Sequence, residues 1–358
     1  MYNGILLYCR PGFEKECLAE ITDLGSERSV FGWANLEMNS GFVLFETEQA
    51  EQAYELLPRL VFSRDAWPIL ARLDDLNPKD RLAPIIHVVK QFKQQQEALR
   101  IGGVSTEFAE GDDYRATAKF SGKFVHPVRQ GLRNEQLIAS KDEARQPYLR
   151  LFFKDSSQVL IGLDRPGIRS PWPMGIARLK FPAAAPSRST LKLEEGFQYF
   201  LGNSWRVKLE RANTGVDLGA APGGWTWQLV NQGIHVYAVD NGPMDKQLMD
   251  SGLVDHVQED GFVWKPAKKV DWLVCDMVEK PARVARLIYD WLDQRHASYA
   301  MFNLKLPMKK RYQQWQEIKD YLEALITQQH PKAIFRAKHL YHDREEITVY
   351  LDLGNQNG

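Results

Sequence analysis

Apolar residues in the first 60 positions fall into short blocks with two distinct periods. "GILLYC" reads as a strand. "FEKECLAEITDLG" repeats its apolar residues at helical spacing until Gly25. "SVFGWANLEMNSGFVLFET" predicts a hairpin turning at Asn39, Ser40 and Gly41, and "EQAYELLPRL" predicts a helix. Together they predict a βαββα unit over residues 1–60. The pattern restarts at Val61, with a strand in "VFSRDAWPILARLDDL", a helix opened by "NPKDRLAPIIHVVKQF" and a strand in "EALRIGG". A basic segment follows, and then "YLRLFFKDSSQVLIGLD", which alternates around Asp155, Ser156 and Ser157 as a β-hairpin does. The stretch "RPGIRSPWPMGIARLKFPAAAPSRS" holds five prolines, which interrupt helices and central strands alike. The main boundary is placed there, giving segments 1–60, 61–168 and 169–358.

Beyond it, short apolar strands alternate with helices: "TGVDLGAAP", "GWTWQLVNQG", "IHVYAVDNG", "QLMDSG", "VDHVQEDG", "VDWLVCDM", "PARVARLIYDWLDQ", "SYAMFNLKLP" and "RYQQWQEIKDYLEALITQQH". Such alternation predicts an α/β fold with a parallel, doubly wound sheet and ligand sites at the strand C-termini. "KAIFRAKHLYHDREEITVYLDL" is two strands with no helix between them, so the sheet is expected to end in an antiparallel hairpin.

Composition changes this picture little. The 358 residues are 44% hydrophobic and carry 46 basic and 46 acidic groups. The distribution is less even. Residues 1–60 hold 4 basic and 10 acidic groups, whereas Arg165–Leu193 holds six basic residues and no acid. A basic run of that kind is either a solvated face or a polyanion contact. Cys9, Cys17 and Cys275 form no CxxC pair, which argues for a reducing compartment and against a structural metal site. With no run of eighteen apolar residues, a soluble, cytoplasmic, monomeric protein without a metal is expected.

The chemistry concentrates at the strand ends. "DLGAAPGGW" places Gly219, Gly223 and Gly224 between a strand and a helix, where backbone can approach a ligand closely. The spacing is not GxGxxG, and Pro222 removes an N–H that a pyrophosphate cradle would use. A tight turn with no ligand is the plainer alternative. The following strands end near Asp240, suited to ribose hydroxyls, Asp260, suited to an exocyclic amine, and Asp276 at the switch point. With Asp217, four acids at successive strand ends suit a ligand carrying hydroxyls, amines and positive charge, as S-adenosylmethionine does. Each acid alone is more often a turn former or helix cap.

"DLGAAPGGWTWQL", "VDNGPM", "EDGF", "VCDMVEKP", "FNLKLPMKKRY" and "YHDREEITVYL", with "RPGFEKEC" and "LKFPAAAPSRSTLKLEE", resemble the bacterial 23S ribosomal RNA 2′-O-ribose methyltransferase M family, which modifies a cytidine. The resemblance spans most of the chain and is weakest over residues 75–165. It implies a Rossmann-like methyltransferase domain behind ferredoxin-like and THUMP RNA-binding domains, with S-adenosylmethionine as cofactor and 23S ribosomal RNA as partner. It also implies a Lys-Asp-Lys-Glu tetrad at Lys192, Asp276, Lys305 and a glutamate in "DREEITVY", either Glu345 or Glu346, of which Glu346 fits the strand register better. Cofactor contacts are implied at Ser189, Ala221, Pro222, Gly223, Gly224, Asp240, Asp260 and Asp276. Ala221 departs from the cysteine of the family pattern, a change a backbone contact tolerates.

In the implied chemistry Lys305 is the base and Lys192 orients the nucleophilic oxygen. A second ammonium nearby favours a neutral Lys305, while the two acids oppose it, so the four groups titrate as a set. A buried ion-pair network without a catalytic role is the plainer alternative. Tyr114–Arg133 carries Arg115, Lys119, Lys123, Arg129 and Arg133 with three aromatics and no acid, a pattern suited to phosphates and unpaired bases. Its Phe120, Phe124 and Val125 could equally be core. Lys309, Lys310 and Arg311 form a second basic group. Three competing readings are a base methyltransferase, a non-catalytic RNA-binding assembly factor and a nicotinamide-dependent oxidoreductase. The paired lysines and the missing GxGxxG argue against them.

Overall fold

The computed structural model describes residues 2–354. They divide after Ile176 into two compact units. In the first, β1 (Ile5–Tyr8), α1 (Glu14–Ser26), β2 (Phe42–Phe45), α2 (Ala50–Tyr54) and β3 (Asp65–Leu73) are followed by α3 (Leu82–Gln95) and β4 (Gly103–Phe108). Then come α4 (Arg115–Asn134), β5 (Tyr148–Phe153) and β6 (Val159–Leu163). The six strands form one sheet in the order β2-β1-β3-β6-β5-β4. β3 is the long strand that joins its two sides, pairing with β1 through Asp65–Pro68 and with β6 through Ile69–Leu73.

Three local expectations change. The hairpin expected across Asn39–Gly41 keeps only one strand, β2, and its other arm is reduced to a single bridge between Trp33 and Glu46. The strand expected in "EALRIGG" begins only at Gly103, where pairing with β5 starts, and runs on through the β-branched Val104 and Thr106 to Phe108. The basic segment is a helix of 20 residues, α4, whose buried Thr117, Ser121, Val128 and Leu132 face the sheet. Phe120 and Phe124 stack at 5.1 Å and both meet Phe153 edge-on, so these rings belong to the core and are not platforms for bases. The hairpin of β5 and β6 forms as expected, antiparallel around Asp155–Ser157.

The second unit contains α5 (Thr190–Leu201), α6 (Trp205–Leu209), β7 (Thr214–Leu218), α7 (Gly224–Val230), β8 (His235–Val239), α8 (Lys246–Met249) and β9 (Val254–Val257). It continues with β10 (Val270–Cys275), α9 (Pro281–Asp293), β11 (Ala297–Lys305), α10 (Arg311–Gln329), β12 (Ile334–Lys338) and β13 (Glu346–Asp352). Its seven strands run β12-β13-β11-β10-β7-β8-β9. β9, β8, β7, β10 and β11 are parallel, and β13 enters antiparallel between β11 and β12. This is the Rossmann-like arrangement expected, closed by the antiparallel pair. Burial of apolar side chains, worth about 1.5–3 kcal/mol for each large one, fixes α5 and α7 over the sheet through Leu193, Phe197, Trp225 and Leu229. Gly196 brings α5 flush with the strands, since a Cβ there would lie 2.6 Å from Met301 Sδ.

Candidate active site

The parallel strands deliver their acids to one end of the sheet. Asp240 directly follows β8, Asp260 lies three residues beyond β9, and Asp276 directly follows β10. All three line a single cleft of about 490 Å³, together with Gly219 and Ala221 of the turn. Asp240 Oδ2 accepts from Ala221 N at 3.0 Å and its Oδ1 from Gly242 N at 2.7 Å, so the carboxylate is fixed against the turn with a lone pair on each oxygen to spare.

The turn itself is shaped by its glycines. Gly223 adopts φ 114°, where a Cβ would also lie 2.4 Å from Leu248 Cδ2. A Cβ on Gly224 would lie 2.2 Å from Ser189 Oγ, and this contact places Ser189 at the start of α7. Of the turn, Gly219 and Ala221 line the cleft. Asp217 is corrected in role. It lies inside β7, accepts from Thr226 Oγ1 at 2.7 Å and is buried away from the cleft. Burial pushes its carboxyl up to about 7, against the pull of the Thr226 bonds.

Several lining residues lay outside the sequence reading: Asn241, Glu259, Phe262, Met277, Val278 and Glu279. They follow strand ends as the predicted acids do, but carry no spacing that distinguishes them from loop. Glu259 and Glu279 bring the lining acids to five, with no lysine or arginine among them. A phosphate-bearing cofactor would be repelled by these five carboxylates, whereas a sulfonium, an ammonium and sugar hydroxyls would meet acceptors. Phe262, Met277 and Val278 offer apolar surface for a heteroaromatic ring. The donor set fits S-adenosylmethionine.

At the Asp276 side of the cleft stand two lysines. Lys192, in the first turn of α5, lies with Nζ 3.2 Å from Asp276 Oδ2 and also meets Glu346. Lys305, the last residue of β11, meets Asp276 Oδ1 and lies 3.9 Å from Glu346. Strand register builds half of this cluster, because Lys305 is directly opposite Glu346 and Asn303 directly opposite Thr348 in the β11–β13 pairing. Side chains alternate along a strand, so these two cross-strand pairs share one face. Glu345 has no part in it. It pairs with Arg311 at 2.7 Å.

Burial works to lower the Lys192 pKa, but Asp276 and Glu346 outweigh it, and the ammonium is held above its ordinary range. Burial likewise works to raise Glu346, and the two lysines overcome it and hold the carboxyl below its ordinary range. Both groups are therefore charged at neutral pH.

Asn303 was not anticipated, yet it touches the centre. Its Nδ2 donates to Asp276 Oδ1 at 3.1 Å, and its Oδ1 accepts from Thr348 Oγ1 at 2.8 Å. Thr348 also lies 2.9 Å from Asp343 Oδ2. Burial, with Glu346 and Glu195 nearby, pushes the Asp343 carboxyl well above its ordinary range. The Thr348 hydroxyl, with its single hydrogen, is within donating reach of both Asn303 Oδ1 and the Asp343 carboxyl. Thr348 thus links Asp343 to Asn303, and Asn303 carries the connection to the Asp276 carboxylate. No polar periodicity marks Asn303 in sequence. Only the strand register brings it beside Asp276.

The chain is 44% identical to the ribosomal RNA large subunit methyltransferase M of Photorhabdus sp. (strain Az29), over 98% of this chain and 96% of that protein. The chain belongs to the ribosomal RNA large subunit methyltransferase M family. Other members of that name, from Aeromonas salmonicida and Haemophilus influenzae, are 44% and 45% identical over 98% of this chain and 96% and 99% of their own lengths. Family models match the RlmM ferredoxin-like domain over residues 2–67 and the ribosomal RNA large subunit methyltransferase M N-terminal region over 80–165. An FtsJ-like methyltransferase model matches 185–354, the segment that contains every residue of the cleft and the lysine–carboxylate cluster.

Proposed function

We propose that this chain methylates the 2′-hydroxyl of a cytidine ribose in 23S ribosomal RNA, with Lys192, Asp276, Lys305 and Glu346 as the catalytic residues. The observation that carries the reading is the placement of two lysines against two carboxylates at the edge of a cleft whose ionisable lining groups are all acids. When bound, S-adenosylmethionine supplies a methyl group already activated on its sulfonium. Asp240 is assigned to the ribose hydroxyls, Asp260 to the adenine amine, and the acids of the lining to the positive charges. Ser189, Pro222, Gly223 and Gly224 set the shape of the turn. Lys305 in its neutral form takes the proton of the attacking hydroxyl. Charged Lys192 holds that oxygen and the negative charge developing on it. Asp276 spans the two lysine nitrogens and sets their separation, and Glu346 does the same from β13. Alignment of this kind supplies roughly 7–11 kcal/mol of the barrier reduction, and a positioned base about 10²- to 10⁴-fold in rate.

For RNA, support comes from α4. Arg115, Lys119, Lys123, Arg129 and Arg133 lie within one helical face, opposite the buried stripe of the helix. Arg115, Lys119 and Lys123 are exposed, while Arg129 and Arg133 are half-buried against Asp142. In the second unit Lys309 and Lys310 are exposed just past Lys305, and Arg311 is engaged with Glu345. No described helix is long and apolar enough to cross a membrane.

Lys305→Ala tests the reading. Transfer of tritiated methyl to ribosomal RNA is expected to fall to background while calorimetry still finds cofactor binding. Turnover retained in the variant would remove Lys305 from the role of base.

A further inference from the structure

The first 60 residues carry 10 acidic and 4 basic groups, an unexpected surplus in an enzyme whose proposed substrate is a polyanion. The structure accounts for most of these acids. Glu14 accepts from the backbone of Gly12 and Gly41, and Glu20 from Val61 and Phe62. Glu27 faces Arg59, Glu37 faces Lys154, and Glu51 and Glu55 face Arg165. Glu46 and Glu48 are different. Both are exposed, and neither makes an ion pair among the described residues.

Beside them two rings stand in solvent, with Phe31 65% and Trp33 56% exposed. Trp33 and Glu46 exchange backbone bonds of 3.1 and 2.8 Å along the outer edge of β2, so their side chains project from the same face about 5 Å apart at Cβ. Phe31 lies two residues before Trp33, and Glu48 lies two residues after Glu46, in the turn that follows. Thr47 Oγ1 donates to Phe31 O at 2.6 Å, and Gln49 accepts from Phe31 N at 3.1 Å, which holds the segment along the edge. The residue between the rings can only be glycine. A Cβ on Gly32 would lie 2.4 Å from Glu46 O and 2.6 Å from the Phe45 ring, so the inward side is backbone packed on the core. The segment therefore presents its two aromatic side chains outward, with little burial of their own.

We propose that Phe31, Trp33, Glu46 and Glu48 form a docking surface for a cationic polypeptide segment of a partner protein, whose arginine or lysine side chains lie over the rings and pair with the two carboxylates. A cation is attracted to an aromatic face and to a carboxylate at once, and here Trp33 and Glu46 stand side by side on the sheet edge, with Phe31 and Glu48 exposed two residues away. RNA could also stack on exposed rings, but its phosphates would face two unpaired acids within the same patch. The surface is independent of methyl transfer, and its test needs no turnover.

The test uses the full chain, the variant Trp33→Ala and the double variant Glu46→Gln, Glu48→Gln. All three positions are exposed, so thermal unfolding should match wild type. Fluorescence anisotropy compares a labelled nine-residue peptide alternating arginine and alanine with a glutamine-for-arginine control and a twelve-nucleotide single-stranded RNA. The arginine peptide is expected to bind wild type in preference to the control, and to lose affinity at least tenfold in both variants. RNA affinity and methyl transfer to deproteinised ribosomal RNA are expected to stay unchanged. Peptide affinity that survives in either variant overturns the proposal. So does a tenfold loss of RNA affinity in Trp33→Ala, which would make the patch a base-stacking platform.

Discussion

Replacing Asn303 by leucine isolates what one amide contributes to the lysine–carboxylate cluster. Asn303 is wholly buried and gives Asp276 a donor at 3.1 Å. Leucine keeps the branching at Cγ but is bulkier, so the change leaves no cavity, and any overpacking shows as a loss of thermal stability. Thr348 keeps Asp343 as a partner, and no buried hydroxyl is stranded. Asp276 keeps both lysines and loses one charge-assisted bond, worth roughly 1.5–3 kcal/mol. If that loss is felt fully in the transition state, at 1.36 kcal/mol for each tenfold, kcat should fall by roughly 10- to 150-fold. Cofactor affinity should stay within about twofold, because Asn303 is not among the lining residues of the cleft. Tritiated methyl transfer gives kcat, calorimetry gives the cofactor Kd, and thermal unfolding checks the fold. An unchanged kcat would show that the two lysines alone position Asp276. A cofactor Kd rising in step with the loss of kcat would show that the damage lies in the cleft.

Other expectations follow from the same geometry. Glu346→Gln should destabilise the protein near neutral pH, where breaking a buried pair costs roughly 3–5 kcal/mol, with the lower end favoured since Lys192 retains Asp276. Because the Glu346 pKa is lowered on folding, its contribution is present above the unfolded value and lost as pH falls through the folded one. Wild type and variant should therefore converge in acid unfolding. Asp217 behaves in the opposite sense. With its pKa raised to about 7, the folded chain holds this proton more tightly than the unfolded one. Stability should fall as pH rises from about 4 to about 7, by up to roughly 4 kcal/mol. Denaturant unfolding of Asp217→Asn should lack that slope, and an unchanged slope would assign it elsewhere. Gly223→Ala should weaken cofactor binding, measured by calorimetry, since its φ of 114° and the Leu248 contact both exclude a side chain. Lys119→Ala with Lys123→Ala should lower the salt dependence of RNA binding by about two phosphates, and an identical slope would remove α4 from the RNA face.

Much of the second unit was readable from sequence because parallel strands are short, apolar and bounded by turns. Each of Asp240, Asp260 and Asp276 follows such a strand within three residues. The first unit was harder for a physical reason that can be named. Gly122, Pro127 and Gly131 depress local helix propensity in α4. What makes it a helix is tertiary, since Val128 and Leu132 join the core and Gly131 lets the α3 side chain of Leu82 approach closely. The arm of the expected hairpin failed likewise. Phe31 and Trp33 have the alternation of a strand, but only the Trp33–Glu46 bridge reaches the sheet edge.

The sequence by itself determined the alternation of elements in the second unit and the acids and lysines available at the strand ends, because these depend on residue type and spacing along the chain. Tertiary structure decided which of them meet. Asp217 turned inward to Thr226, and Glu345 turned out to Arg311. Glu346 came to the lysines, and Asn303 to Asp276, through the antiparallel register of β13 against β11. A shift of one residue would exchange every one of those faces, and register is a property of two strands together.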